Sequence, residues 1–169
     1  NTGSGYLSVG RESPQSNSPA VTLYDTGMWL ARHIEEGSDV TQLIDLPTFN
    51  SFAFTSELQQ DEFDGHYIIE YDYSDADEPI RRIETPHTAP ISCLAFDGDR
   101  GIYITGDEDG SVYLTSQVDG ALIADYADAG MVIESCDFSP TGSYGWASIE
   151  GIKLRTVNHD FLQILYLSF

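Results

Sequence analysis

The sequence predicts an all-β protein, an array of four-stranded antiparallel units, on three observations. The first is a pattern of strand, acidic turn ending in glycine, and second strand, written three times over residues 51–69, 101–114 and 143–154. The second is its period. The strand after each turn falls in register at Val21, Ile68, Val112 and Ile152, separated by 47, 44 and 40 residues. A period of roughly 40–45 residues is that of a four-stranded propeller blade, so the fold class is a β-propeller-like array with about three full blades plus terminal strands. The third is the absence of a helical stripe: no window of about 11 residues or more repeats its apolar positions at helical spacing.

The elements follow in order. Residues 6–10 and 21–24 read as two N-terminal strands within a terminal stretch 5–25. The first full unit spans 28–73, with strands at 29–34, 40–46, 52–56 and 67–71. The second spans 79–116, with strands at 80–84, 91–96, 102–105 and 112–115. The third spans 120–157, with strands at 121–126, 133–138, 144–148 and 152–157. Many of these segments alternate or are short and apolar, and Gly, Pro, Asp or Ser bounds them. A final stretch, 160–169, holds the apolar run Phe161-Leu-Gln-Ile-Leu-Tyr-Leu-Ser-Phe169. A bare apolar strand is a pairing template, so this run is expected to be covered by strands 6–10 and 21–24, by a neighbouring subunit or by further sequence. The whole of 1–169 reads as a single domain or a propeller fragment.

Pro90-Ile-Ser-Cys-Leu-Ala-Phe96-Asp-Gly98 and Ile133-Glu-Ser-Cys-Asp-Phe138-Ser-Pro-Thr-Gly142 look like an innermost blade strand with its turn, and Thr105-Gly-Asp-Glu-Asp-Gly110 like the turn after the next strand. Tyr24-Asp25 and Tyr71-Asp72 sit where a Trp-Asp pair would close a repeat, and His87 where a Gly-His pair would open one. On these residues the chain resembles the WD-repeat β-propeller family over nearly its whole length. It departs from the family at Thr115-Ser116 and Arg155-Thr156, which stand at the Trp-Asp position, and at Glu70, which replaces an apolar residue. The resemblance implies a partial Asp–His–Ser/Thr hydrogen-bond network made by His87, Thr105 and Asp109. The copies fall short of a closed ring. A piece of a larger propeller, a ring completed by a second copy or another protein, and a self-sufficient four-bladed ring are the three arrangements they allow.

Seven Lys and Arg stand against 28 Asp and Glu, a formal net charge of −21. Such a balance disfavours nucleic acid and anionic membranes as partners, because phosphate contacts need Lys and Arg. No apolar run approaches the length of a membrane span, so no membrane insertion is expected. Abundant aromatic and β-branched residues separate the chain from disordered acidic tails. Lys153 is the only lysine, against six Arg, and the carboxylates are spread over every inter-strand turn. This pattern resembles proteins of salt-in halophiles, in which high salt screens self-repulsion. The competing reading is an acidic surface for a basic partner.

Cys93 and Cys136 occupy corresponding strands but not corresponding positions: with Phe96 aligned to Phe138, Leu94 faces Cys136. Their side chains are therefore expected on opposite sheet faces, as two buried thiols rather than a disulfide. Asp107-Glu108-Asp109 and Asp61-Glu62-Phe63-Asp64 resemble calcium loops in composition only, without the spaced ligands and distal Glu. They read as turns, with Asp109 capping backbone amides and Gly110 at positive φ, and with Asp64 and Gly65 closing the first copy. In Asp72-Tyr-Ser-Asp75-Ala-Asp77-Glu78 a hydrated cation is the alternative to a solvated hairpin. The four histidines, His33, His66, His87 and His159, have no metal-ligand spacing. No cofactor, metal site or catalytic set is expected.

The function these features imply is a non-enzymatic interaction scaffold, a subunit of a larger complex with a protein partner or another copy of itself. Its contact surface would be one acidic loop face carrying Glu35, Glu36, Asp39, Asp61, Glu62, His87, Asp107, Glu108 and Asp128. Two alternatives belong to other classes: a propeller hydrolase or lyase with carboxylates at a channel mouth, and a structural or receptor-binding component of a halophilic cell surface or virus particle. The sequence is equally compatible with a cytoplasmic and an extracellular or virion setting.

Overall fold

The computed structural model describes residues 6–10, 21–25, 28–34, 40–60, 63–75, 77–127, 131–139, 144–149, 153–158 and 161–163. These residues are all-β, with a single 3-10 turn at Pro47–Phe49 and no α-helix among them. Where the sequence reads as one domain, the chain divides into two compact units, Asn1–Glu84 and Thr85–Phe169.

The first unit holds a three-stranded sheet, β1 (Tyr6–Gly10), β2 (Val21–Asp25) and β3 (Met28–Ile34), and a four-stranded one, β4 (Val40–Leu46), β5 (Ser51–Gln60), β6 (Phe63–Asp72) and β7 (Arg81–Glu84). The second holds β8 (Ile91–Asp97), β9 (Ile102–Asp107), β10 (Ser111–Ser116) and β11 (Leu122–Ala127) as one sheet. Its other sheet is β12 (Ile133–Phe138), β13 (Tyr144–Ile149), β14 (Lys153–Asn158) and β15 (Phe161–Gln163). All four sheets are open, antiparallel and ordered as the chain runs.

Strand positions match the sequence reading, but the sheets are offset from the repeat by one strand. The strand that opens the 79–116 repeat is β7, and it pairs with β6 of the sheet before it, Glu70 opposite Arg81. The strand that opens the 120–157 repeat is β11, which pairs with β10. Chain-adjacent strands close as hairpins at low entropic cost. The break between sheets falls at 85–90, where Pro86 and Pro90 remove N–H donors and the chain bends at Thr88 and Ala89. Of the C-terminal run, expected to be covered by the N-terminal strands, by a neighbouring subunit or by further sequence, the structure describes residues 161–163. β15 pairs with its hairpin neighbour β14, Asn158 opposite Phe161, while β2 pairs with β1 and β3. Residues 164–169 lie outside the described residues. The turn expected at Asp64-Gly65 is also displaced: β5 and β6 stay paired as far as Gln60 and Phe63, so Asp64 and Gly65 lie inside the ladder, with Gly65 at φ +138°.

The first core shows why β5 and β6 are strands. Phe52, Phe54 and Leu58 on β5 and Tyr67, Ile69 and Tyr71 on β6 recur at even spacing, so one face is large and apolar. That face packs with Tyr73 against Val21, Leu23 and Ile34 of the three-stranded sheet. Phe52 stacks on its cross-strand neighbour Tyr71 at 5.9 Å between ring centroids, a contact type that adds about 0.5–1.5 kcal/mol beyond area burial. Burial, with Glu84 and Asp64 nearby, raises the Tyr67 phenol above its ordinary pKa.

The corner beyond β6 is polar. The Ser74 hydroxyl and then its amide, at 2.6 and 2.7 Å, donate to Asp72 and hold its carboxyl below the usual range. A depressed carboxyl contributes stability that is present above its unfolded pKa and lost as pH falls through its folded one. Asp72→Asn should therefore flatten the decline in stability between pH 7 and pH 3. The effect is at most about 0.5 kcal/mol, because the group is solvent-screened. Urea titrations at the two pH values measure it, and an unchanged slope refutes the assignment.

In each four-stranded sheet the first strand carries a β-bulge at the same place. Thr41, Ser92 and Glu134 are the extra residues, each following an apolar residue in the patterns Val40-Thr41, Ile91-Ser92 and Ile133-Glu134. The bulge fixes which face the later residues present. Val40 and Leu43 face the three-stranded sheet of the first unit, and Ile133, Cys136 and Phe138 face β8–β11 of the second. The face receiving β12 is the opposite one, carrying Cys93, Ala95, Ile102, Ile104, Val112 and Leu114. The two sheets of the second unit thus stack face to back.

That arrangement overturns the expectation of two separate thiols. Cys93 and Cys136 do lie on opposite faces of equivalent strands, and in a face-to-back stack opposite faces are the ones that meet. The two form a disulfide with Cα atoms 5.7 Å apart, inside the ordinary range for a bridge.

Candidate functional site

Among the described residues a densely hydrogen-bonded polar constellation lies at the end of the β8–β11 sheet. Residues 85–90 leave the ladder and bend at Thr88 and Ala89, burying Thr85, His87 and Ala89 and exposing Pro86, Thr88 and Pro90 alternately. The missing N–H groups of the prolines favour this departure. It aims His87 at the sheet end. His87 Nδ1 lies 2.7 Å from Asp107 Oδ2 and Nε2 lies 2.8 Å from Thr105 Oγ1. A carboxylate only accepts, so Nδ1 carries the hydrogen; in the neutral ring Nε2 then accepts from the threonine hydroxyl. Tyr113 is directly opposite Thr105 on β10 and meets the imidazole edge-on at 4.6 Å between centroids. The side chains of His87 and Asp107 are 0% and 1% exposed, so solvent does not compete for these bonds.

Asp107 also builds the turn. Its Oδ1 accepts from the amides of Asp109 at 3.1 Å and Ser111 at 2.7 Å, and its carbonyl from Gly110 at 3.3 Å. Gly110 sits at φ +90°, which a side chain would resist. The acidic partner of His87 is therefore Asp107, not Asp109 as the resemblance implied. The signal was in the strand period: Thr105 and Asp107 are two residues apart on β9 and share a face, while Asp109 lies past the strand end. Asp109 contributes only its backbone N–H to the turn.

The other hairpins of this sheet use similar chemistry. Asp97 accepts from the amides of Asp99 and Arg100 and pairs with the Arg100 guanidinium at 2.9 Å. The Ser116 side chain and then the Ala121 amide, donating to Asp119, hold that carboxyl below the usual range. The Gln117 amide donates to the Gly101 carbonyl at 2.8 Å, tying these two turns together at one end of the sheet. The β9–β10 turn and residues 85–90 occupy the other, where the Glu108 amide donates to the Pro90 carbonyl.

Of the proposed contact face, the structure brings His87 and Asp107 together as buried supports and leaves Glu108 and Asp109 exposed above them. Asp64 is exposed on β6 in the other unit. Glu35, Glu36, Asp39, Asp61, Glu62 and Asp128 lie outside the described residues. Sequence reading missed Ser92, whose hydroxyl reaches the Ile133 carbonyl across the sheets, and Gly106, against which Ile133 packs. Among the described residues no group of three or more His, Cys, Asp and Glu is gathered to hold a metal ion. No protein-family model matches the chain, and no curated protein is significantly similar to it.

Proposed function

We propose that the chain is a WD-repeat-like β-propeller, or part of one, working as a non-enzymatic scaffold that joins a protein assembly through its acidic loop face. The observation that carries the reading is the His87–Asp107–Thr105 network. It spends one acidic residue of the Asp107–Asp109 turn on rigidity and leaves Glu108 and Asp109 in solvent on a fixed base. The chain-ordered four-stranded sheets, the recurrent bulge and the face-to-back stack support the propeller part of the reading. Loops held by a rigid β framework are where binding residues concentrate.

A surface presenting fixed carboxylates suits a basic partner and steers its approach. Reversing both charges, Glu108→Lys with Asp109→Lys, should weaken the complex at least tenfold while shifting the melting temperature by less than about 2 °C. Co-purification of the native complex followed by titration of the recovered partner measures this. A partner held equally well by the double variant would remove the loop from the interface.

The net charge of −21 supports a high-salt setting for this scaffold. Self-repulsion among the carboxylates is screened by salt, so the melting temperature should climb between about 0.1 and 2 M KCl. A flat profile would leave the acidic surface to the partner alone.

A further inference from the structure

We propose that the Cys93–Cys136 disulfide is a redox latch: a dithiol reductant opens it and loosens the β12–β15 sheet from β8–β11, and oxidation closes it again. The sequence contains two cysteines, and both are in this bond. Within this sequence the pair has no alternative intramolecular pairing.

The bond ties β12 to β8 across the seam between the two stacked sheets. On the β12 side, Ile133 is the one described residue of the strand that is fully buried, while Met131, Cys136 and Phe138 are partly exposed. Beyond apolar contact, the seam has the Ser92 hydroxyl donating to the Ile133 carbonyl. The bridge joins residues 43 apart in sequence. Removing a cross-link of that span restores enough freedom to the open chain to favour opening by about a thousandfold.

Access sets the order of events. Cys93 is 4% exposed and Cys136 is half-buried. A thiolate of the reductant attacks Cys136 Sγ, the S–S bond breaks, and Cys93 leaves as a thiolate that takes up a proton. The reductant's second thiol then displaces Cys136 from the mixed disulfide. Two electrons pass to the protein, which ends with two thiols, and the reductant leaves as its own disulfide.

The test uses the full chain isolated without reductant in the presence of N-ethylmaleimide. Intact mass should show no adduct before reduction and two after reduction in denaturant. Hydrogen exchange is then compared for the oxidised chain and the chain reduced by dithiothreitol. Amides of β8 and β12 should exchange at least tenfold faster after reduction and return on reoxidation, while the paired amides of β5 and β6 hold their rates. The double variant Cys93→Ser with Cys136→Ser should match the reduced chain and ignore dithiothreitol. If that variant does not fold, the comparison of the two wild-type forms decides. Two adducts on the native chain, equal exchange in both forms, or equal acceleration of β5 and β6 would each overturn the proposal.

Discussion

Asp107→Ala should destabilise the unit Thr85–Phe169 by about 3 kcal/mol and lower its melting temperature by roughly 12–24 °C. One carboxylate serves three donors: His87 Nδ1 on Oδ2, and the Asp109 and Ser111 amides on Oδ1. The substitution removes all three acceptors and leaves an imidazole N–H enclosed where water does not reach. Leaving a buried donor unpaired costs about 1–3 kcal/mol, and the turn amides add to that. Asp107→Asn separates the contributions. Its amide oxygen can still accept from the turn, and its NH2 can donate to Nδ1 once the ring takes the other tautomer and Nε2 donates to the Thr105 hydroxyl, so most of the loss should be recovered. Thr105→Val should cost about 1 kcal/mol, because it removes only the donor to Nε2. Asp109→Ala should cost at most about 0.5 kcal/mol, since its exposed carboxylate leaves the turn's N–H in place. Urea unfolding of the four variants gives the ranking. Equal losses at Asp107 and Asp109 would return the network to the assignment drawn from the family resemblance.

The strands were legible because their cause is local. Phe52, Phe54, Leu58 and Tyr67, Ile69, Tyr71 alternate at the spacing a one-sided core demands, and Asp97, Asp107 and Asp119 sit where hairpins must turn. The grouping of strands into sheets was less legible, because a repeat defines a period but not its starting point. The prolines at 86 and 90 were the only local mark of where one sheet ends. The cysteines show the same limit. Their opposite facing followed from counting residues, yet whether opposite faces meet depends on how two sheets stack, and no single strand encodes that. The His87 site was half legible: its histidine and threonine stood out, while the choice between Asp107 and Asp109 turned on where β9 ends.

Gly106→Ala should destabilise the same unit by about 1–2 kcal/mol, although a methyl group in a strand would ordinarily be tolerated. A Cβ at this position on β9 would lie 2.5 Å from Ile133 Cγ2 and 2.8 Å from both Ile133 Cβ and Cys93 Sγ. Neither neighbour is free to retreat. Ile133 is fully buried and its carbonyl accepts from Ser92, and Cys93 is bonded to Cys136 on the strand that carries Ile133. The added atom must therefore push the two sheets apart, and overpacking of this kind costs about 1–3 kcal/mol. The opposing gain, a less flexible unfolded chain, is about 0.4–1 kcal/mol and does not offset it. Shortening the neighbour tests the cause. In an Ile133→Ala background the Cγ2 contact is gone, so Gly106→Ala should cost at least about 1 kcal/mol less than in the wild type, a coupling expected of side chains in contact. Chemical denaturation of the two single variants and the double variant closes the cycle. Strictly additive losses would mean that Gly106 is not the point on which β12 rests.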